Sequence, residues 1–554
     1  MSTPELIRRL TLDRALALRY ENPVVTKELR TRMRGAKAHW TMLAYILVLG
    51  ICLLFAYDEW ASHAGTYDPQ AWLQARIGFR LFNVLTWAQA ILIALIAPSL
   101  TAGMITLERE QQTIEMLSLT TLSARNIIAG KATSAMLFIL MLLASSLPLA
   151  GICLMFGSIS PAEIAVTYLM LVGWSFVFVS IGTLFSALLK RTSGASLAAF
   201  GCTAMYAFPL TSVAFGLDYA HRYGGLPSSW RFVFSGMSAC TAAADALGLA
   251  PVFGVRLPVA VVAIAFEAAI GVLLLTVAAS HLPYHRAHRP ALIRSLLLAI
   301  SLVGIFLFLG NTAGPASPTG LTSGRDLVLV TFVALLQIVT LAIPIFSTGP
   351  VRKTVPLWRD LLLGPAYRKV FENRPPGGVW FLALWFVAGC GVALLAISML
   401  GPLLWGPGTT AAAVGWSEFI ECAVALLAAI VGMAIVGVLF STLASSRQAA
   451  AALTIVFIVV AWAVFPIMVA QYTSHYGYDW RQADGPLWQL GYLWPGLMLL
   501  KVGTQFNQGV DGPNLWLPAS DAWIGCTTAW LAVGAAALYA ASRRASRPGG
   551  VPDE

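Results

Sequence analysis

Charge is what this sequence has least of: Asp, Glu, Lys and Arg make up 11% of its 554 residues, where soluble domains carry about a quarter. A water-soluble fold is excluded by that shortage. Cysteine is sparse too, and Cys52, Cys153, Cys202, Cys240, Cys390, Cys422 and Cys526 show no CxxC pair or metal-ligand spacing. They read as small core residues, and no metal is expected. A phosphate-binding loop is missing as well. GxxxxGK[ST] lets backbone N–H groups, a Lys and a hydroxyl hold phosphate and magnesium together, but Gly130-Lys131 is followed by Ala132 and has Arg125 where the first Gly belongs. No cleaved leader is expected, because the first apolar run begins near Trp40, behind nine Lys and Arg.

What is present is apolar. Hydrophobic residues reach 58%, and the charges are bunched, which leaves uncharged runs of the roughly 20 residues that cross a bilayer as a helix. Helix is the default there, since a spanning segment must satisfy its own backbone. Spans are expected near 40–57, 82–105, 132–156, 163–188, 194–216, 256–281, 295–311, 326–347, 379–405, 418–443, 447–470 and 521–542, giving an all-α polytopic protein of about twelve helices. Positive residues near helix ends are retained in the cytoplasm. With both termini inside, inside segments hold 27 of the 35 basic residues and outside segments hold 8. The net charge of +10 is then positive-inside patterning and contact with membrane lipid, and no nucleic-acid partner is expected.

Two halves share a pattern. Ile181-Gly182-Thr183-Leu184-Phe185-Ser186-Ala187-Leu188 and Val436-Gly437-Val438-Leu439-Phe440-Ser441-Thr442-Leu443 agree at Gly, Leu, Phe, Ser and Leu, with 436 − 181 giving an offset of 255. Each copy enters a short basic loop (Lys190 and Arg191; Arg447) and reaches Phe208-Pro209 or Phe465-Pro466 in the next span. The expected organisation is a cytoplasmic N-terminal segment 1–39, a six-helix unit 40–281 with a cytoplasmic loop 106–131, a basic linker 282–294, a more divergent six-helix unit 295–542 with a loop 348–378, and a tail 543–554. Each half also has a short outer apolar stretch, near 229–247 and from Trp494 onward. Trp480, Trp488, Trp494 and Trp516 fit an interfacial aromatic belt.

Before the first span, Asn22 offers a helix cap and Pro23 the first helical position. Val25, Leu29 and Met33 then fall on one face, while Lys27, Arg30 and Arg34 point elsewhere and Glu28 lies between them. That describes a helix in the inner interface. Between spans two and three, Glu108, Arg109, Glu110, Thr113 and Glu115 form the densest acidic cluster of the cytoplasmic side, with Ser123 placed to cap the helix that leads into span three. At helical spacing Glu108 and Glu115 share a face while Glu110 turns away, so divided roles are expected, with Arg109 or Arg125 as internal partners.

The loop resembles that of the permeases of type-two ABC exporters, whose pattern is Glu-Arg-Glu-x-Gly-Thr-x-Glu/Asp-x-Leu, then Thr-Pro-Leu-Ser and Ile-x-x-Gly-Lys. This chain matches at Glu108, Arg109, Glu110, Thr113, Glu115, Leu117, Thr120, Leu122, Ser123, Ile127, Gly130 and Lys131. It departs at Gln112, where the family usually has Gly, and at Thr121, where it usually has Pro. Residues 22–34 resemble the family's interfacial helix, and the likeness covers about residues 20 to 280. The resemblance implies a permease of the bacterial inner membrane that is not itself an enzyme. It implies a separately encoded ABC ATPase subunit, in two copies, that holds ATP and Mg and docks on the loop. This chain then carries no cofactor, and further permease or accessory subunits are allowed for. The second loop has no Glu-Arg-Glu motif, so a degenerate docking site is expected there.

Glu267 is the one ionisable residue deep in a span, eleven after Arg256 and so about 16 Å along a helix. A pathway residue and a structural carboxyl are both open for it. Glu418 and Glu421 sit at an outer span end. His281, His285 and His288 lie in a basic loop, where Pro283 and neighbouring arginines oppose a metal site. An ion-coupled transporter calls for several intramembrane charges and a membrane-embedded enzyme for converging catalytic groups. The sequence favours neither.

Overall fold

The computed structural model describes residues 23–33, 36–63, 70–113, 123–204, 206–207, 232–238, 243, 246–282, 290–312, 339, 342–343, 345–348, 359, 361, 370, 375–396, 416–444, 447–459 and 519–545. The chain divides into two compact units, residues 1–251 with 255–289, and residues 252–254 with 290–554. Among the described residues, nine helices are long and apolar enough to cross a membrane.

In the first unit α1 (Pro23–Met33) precedes α2 (Ala36–His63), α3 (Gln70–Thr101), α4 (Thr106–Glu110), α5 (Ala124–Ser145), α6 (Leu147–Met155) and α7 (Pro161–Leu188). Residues 192–204 are again helical, and α8 (Val259–Ser280) follows the strands β1 (Leu249–Val252) and β2 (Val255–Pro258). Local sequence explains several boundaries. α7 starts with Pro161 at its first turn and a capping box, in which Ser160 Oγ accepts from the Glu163 N–H at 3.2 Å and Glu163 Oε2 accepts from the Ser160 N–H at 2.6 Å. α5 breaks at Ser146, ahead of Pro148 in the first turn of α6. That break points Ser146 Oγ at Gln89, whose Nε2 donates to it at 2.7 Å and to the Tyr168 hydroxyl at 3.0 Å. Three helices are thereby tied together inside the apolar layer.

α7 is the central helix of this unit and packs against α3, α5 and α8. Close approach is set by glycine. A Cβ at Gly182 would collide with Thr101 Oγ1 of α3, and one at Gly271 of α8 with the Phe176 ring.

The second unit contains α9 (Pro290–Thr312), α10 (Pro375–Leu395), α11 (Trp416–Leu443), α12 (Arg447–Val459) and α13 (Ala519–Ala545). α11 lies along α13, where Gly432 meets the Trp530 backbone and Gly534. α9 is joined to α10 by Trp385 Nε1, which donates to Ser301 Oγ at 2.6 Å. Arg294 is buried, donates to the carbonyls of Val370 and Gly377, and stands over the rings of Phe346 and Phe381 at 5.5 and 5.2 Å. A Cβ at Gly437 would collide with Ser347 Oγ.

α7 and α11 each have 28 residues and end at Leu188 and Leu443, the last residues of the two matching sequence segments. Nine of the expected spans coincide with the nine apolar helices. The other three, 194–216, 326–347 and 447–470, lie partly or largely outside the described residues, as do the loop 348–378 and the outer segment from Trp494. The all-helical expectation needs one correction. Residues 249–258 form a two-stranded hairpin, with Phe253 and Gly254 both at positive φ (47° and 79°), the geometry of a tight hairpin turn. Arg256 is therefore in β2, and the sixth span begins at Val259.

Candidate coupling site

The end of α3 turns at residues 102–105 and continues as α4, which carries Glu108, Arg109 and Glu110. α4 ends in a paired C-terminal cap: the Gln112 N–H donates to the Arg109 carbonyl at 3.2 Å and the Thr113 N–H to the Glu108 carbonyl at 2.9 Å. Thr113 Oγ1 also donates to the Glu108 carbonyl, at 3.2 Å. This cap forces Gln112 into left-handed backbone, φ 57°, which is the physical reason why Gly suits that position. Left-handed backbone costs a residue with a Cβ roughly 1–2 kcal/mol. Gln112→Gly is accordingly expected to raise stability by about 1 kcal/mol once the extra freedom of Gly when unfolded is subtracted. A higher apparent Tm than both wild type and Gln112→Ala in detergent would show it, and an unchanged or lower Tm would count against the strain.

The three charged residues of α4 reach three different places. Glu108 Oε1 accepts from Lys131 Nζ at 2.7 Å. The same ammonium donates to Glu28 Oε1 of α1 at 2.9 Å. Lys131 is 2% exposed, so one buried cation holds two carboxylates from separate elements. Arg109 donates to the carbonyls of Leu189 and Ala187 at 2.7 and 3.3 Å, satisfying acceptors that the end of α7 leaves open. Glu110 Oε1 accepts from the Thr192 N–H at 2.8 Å, a carboxylate at the start of the next helix, where the helix dipole favours it. Thr192 Oγ1 donates to Thr106 Oγ1 at 3.0 Å, and Ser186 Oγ accepts from the N–H groups of Ile105 and Thr106 at 2.8 and 3.3 Å. α4 is thus bonded on one side to α5, and through Lys131 to α1, and on the other to the turn after α7.

Glu108 and Glu110 reach different partners, both within this unit, and the expected internal partners need correction. Lys131 is the cation that pairs with Glu108, Arg109 binds backbone, and Arg125 is exposed on α5. Ser123 caps α5 by accepting from the Asn126 N–H at 3.3 Å. Gly130 and Lys131 lie in the second turn of α5, both buried. Glu115 and Thr120 are outside the described residues, as is Asn22.

The face of α1 also differs from the expectation. Val24 is buried and Glu28 reaches Lys131, while Arg32 Nη2 donates to the Leu100 carbonyl at 3.2 Å. The inward row is therefore 24, 28 and 32, and Met33 is 36% exposed. Lys27 and Arg30 are exposed as expected. A buried Lys131 draws the carboxylate-bearing face inward, which the apolar stripe at 25, 29 and 33 could not reveal.

Glu267 stands eight residues after Val259, about 12 Å along α8, and is fully buried. Neither carboxyl oxygen has a hydrogen-bond partner among the described residues. Among the described residues no group of three or more His, Cys, Asp or Glu is arranged to hold a metal ion. His281 Nδ1 instead lies 2.9 Å from the Val277 carbonyl and 3.1 Å from Ser280 Oγ.

Residues 23–230 match the family model described as ABC-2 family transporter protein. No curated protein and no solved structure matches the chain. The matched segment includes α1, the whole loop and α7. Residues 23–230 are thus similar to an ABC-2 transporter segment, and the chain that holds them is a multi-pass membrane protein.

Proposed function

We propose that this chain is the membrane-spanning part of an ABC exporter in the inner membrane of a bacterium, driven by separately encoded ATPase subunits that dock on residues 106–131. The observation that carries this reading is the bonding of α4: a segment at the base of the loop is fixed simultaneously to α1, α5 and the α7 turn. Movement imposed on such a segment is passed to several helices at once. ATP and Mg belong to the partner, bound in two copies, and the loop from Glu108 to Lys131 is the receiving element.

Two six-helix units, with both termini cytoplasmic, form the pathway in this reading. The repeat is supported by the register of α7 with α11, by the helices that restart at Thr192 and Arg447, and by two equivalent contacts. Gly182 packs on the hydroxyl of Thr101, which donates to the Ala97 carbonyl, and Gly437 packs on the hydroxyl of Ser347, which donates to the Ile343 carbonyl. The orientation rests on the basic residues. Cysteines introduced at Ser193 and Ser446 are expected to be shielded from an impermeant thiol reagent in intact cells, and one at Asp511 to react. Labelling of the first two would overturn the orientation. Co-purification of an ABC ATPase with the tagged chain tests the partnership itself.

A further inference from the structure

We propose that the first unit holds a binding site for an organic ammonium group, centred on Glu267. The inference rests on the permease reading in one respect only, in that it names a chemical class for what such a pathway would carry.

Glu267 is fully exposed to neither water nor a protein donor: it is buried, and both of its oxygens lack a hydrogen bond among the described residues. Burying an uncompensated carboxylate is costly, and the group requires a proton or a cation. Among the described residues the buried basic side chains are Lys131 and Arg294. Lys131 is already held by Glu28 and Glu108, and Arg294 belongs to the second unit. As a carboxylate, Glu267 must therefore take its compensating charge from outside the described residues.

The surroundings are built rather than accidental. Gly173 of α7 leaves room for the carboxyl, because any Cβ there would collide with Oε2. Trp174 Nε1, Thr203 Oγ1 and the Tyr206 hydroxyl are among the other polar atoms of this unit that are buried and unbonded among the described residues. Tyr206 is within electrostatic reach of Glu267. Phe178 links the aromatic members, 4.7 Å from Trp174 and edge-on to Tyr206 at 6.1 Å between ring centroids. Buried polar atoms without partners are uncommon in native proteins, and an unpaired buried carboxyl calls for an explanation. An ammonium group answers the main feature: its N–H bonds are donated to the Glu267 oxygens and its charge compensates the carboxylate. A neutral hydroxyl ligand would leave the charge uncompensated.

The test uses the purified full-length chain in detergent and two probes, benzylammonium and its neutral counterpart benzyl alcohol, measured by equilibrium dialysis at neutral pH. Saturable benzylammonium binding is expected, weakened at least tenfold by Glu267→Gln, with benzyl alcohol bound alike by both proteins. Gly173→Ala is expected to weaken the ammonium probe as well, by displacing the carboxyl. Should Glu267→Gln aggregate, Glu267→Asp, which keeps the charge but withdraws it by one methylene, serves with Gly173→Ala. Absence of saturable binding to wild type, or equal affinity in the variants, overturns the proposal. Because no ATPase is present, that failure would leave the loop's docking role untouched, while loss of ATPase partnership would leave the binding result standing.

Discussion

Replacing Lys131 with Met is expected to destabilise the first unit by about 3–5 kcal/mol, the cost of removing one partner from a buried ion pair. The substitution keeps an unbranched apolar side chain, one atom shorter, but strands Glu28 and Glu108, whose side chains are only 21% exposed. Removing the charge from one carboxylate alone, as in Glu28→Gln, should cost much less, because Glu108 still compensates the ammonium. Combining Lys131→Met with Glu28→Gln and Glu108→Gln should recover most of the loss, since the apolar or neutral set has no stranded charge. Apparent Tm in detergent reads the series. An effect of Lys131→Met no larger than that of Arg125→Met, an exposed neighbour, would show that the triad does not hold α1 and α4 to α5.

Replacing residues 114–122 with a Gly/Ser linker of equal length is expected to leave the protein inserted and folded while reducing ATPase association at least tenfold. The limits of the replacement are chosen by the structure. Ser123 caps α5, and Ala124 and Ile127 are buried in its first turn, so extending the linker past residue 122 would unfold helix as well as remove a docking surface. On the other side, the cap through Thr113 closes α4. Retained size-exclusion profile with lost co-purification is the expected pair of results. Retained association would place the docking surface elsewhere.

Much of this arrangement is readable in the sequence because the membrane simplifies it. Apolar runs and the placement of Lys and Arg locate the helices. The end of α7 was visible as the repeat that stops at Leu188. What composition could not show is which polar groups meet across helices. Glu28, Glu108 and Lys131 are separated by as many as 103 positions, and a pair formed by folding leaves no local signal. The usual Gly at the position of Gln112 did carry information: the cap there requires positive φ. Ser186 and Thr192 carry no sequence signal for their bonds to Ile105 and Thr106, although Ser186 lies in the repeated Phe-Ser segment. The hairpin at 249–258 was obscured by its apolar residues, which continue into α8 without a change of composition.

The central claim is that transport through this chain needs an ATPase engaged on the loop. The most direct measurement compares wild type with the 114–122 linker variant, reconstituted in liposomes or expressed in cells, with and without the ATPase subunit and ATP. The account predicts transport by wild type only when both ATPase and ATP are supplied, and none by the variant under any of these conditions. Full transport by the linker variant with no ATPase subunit present would contradict it.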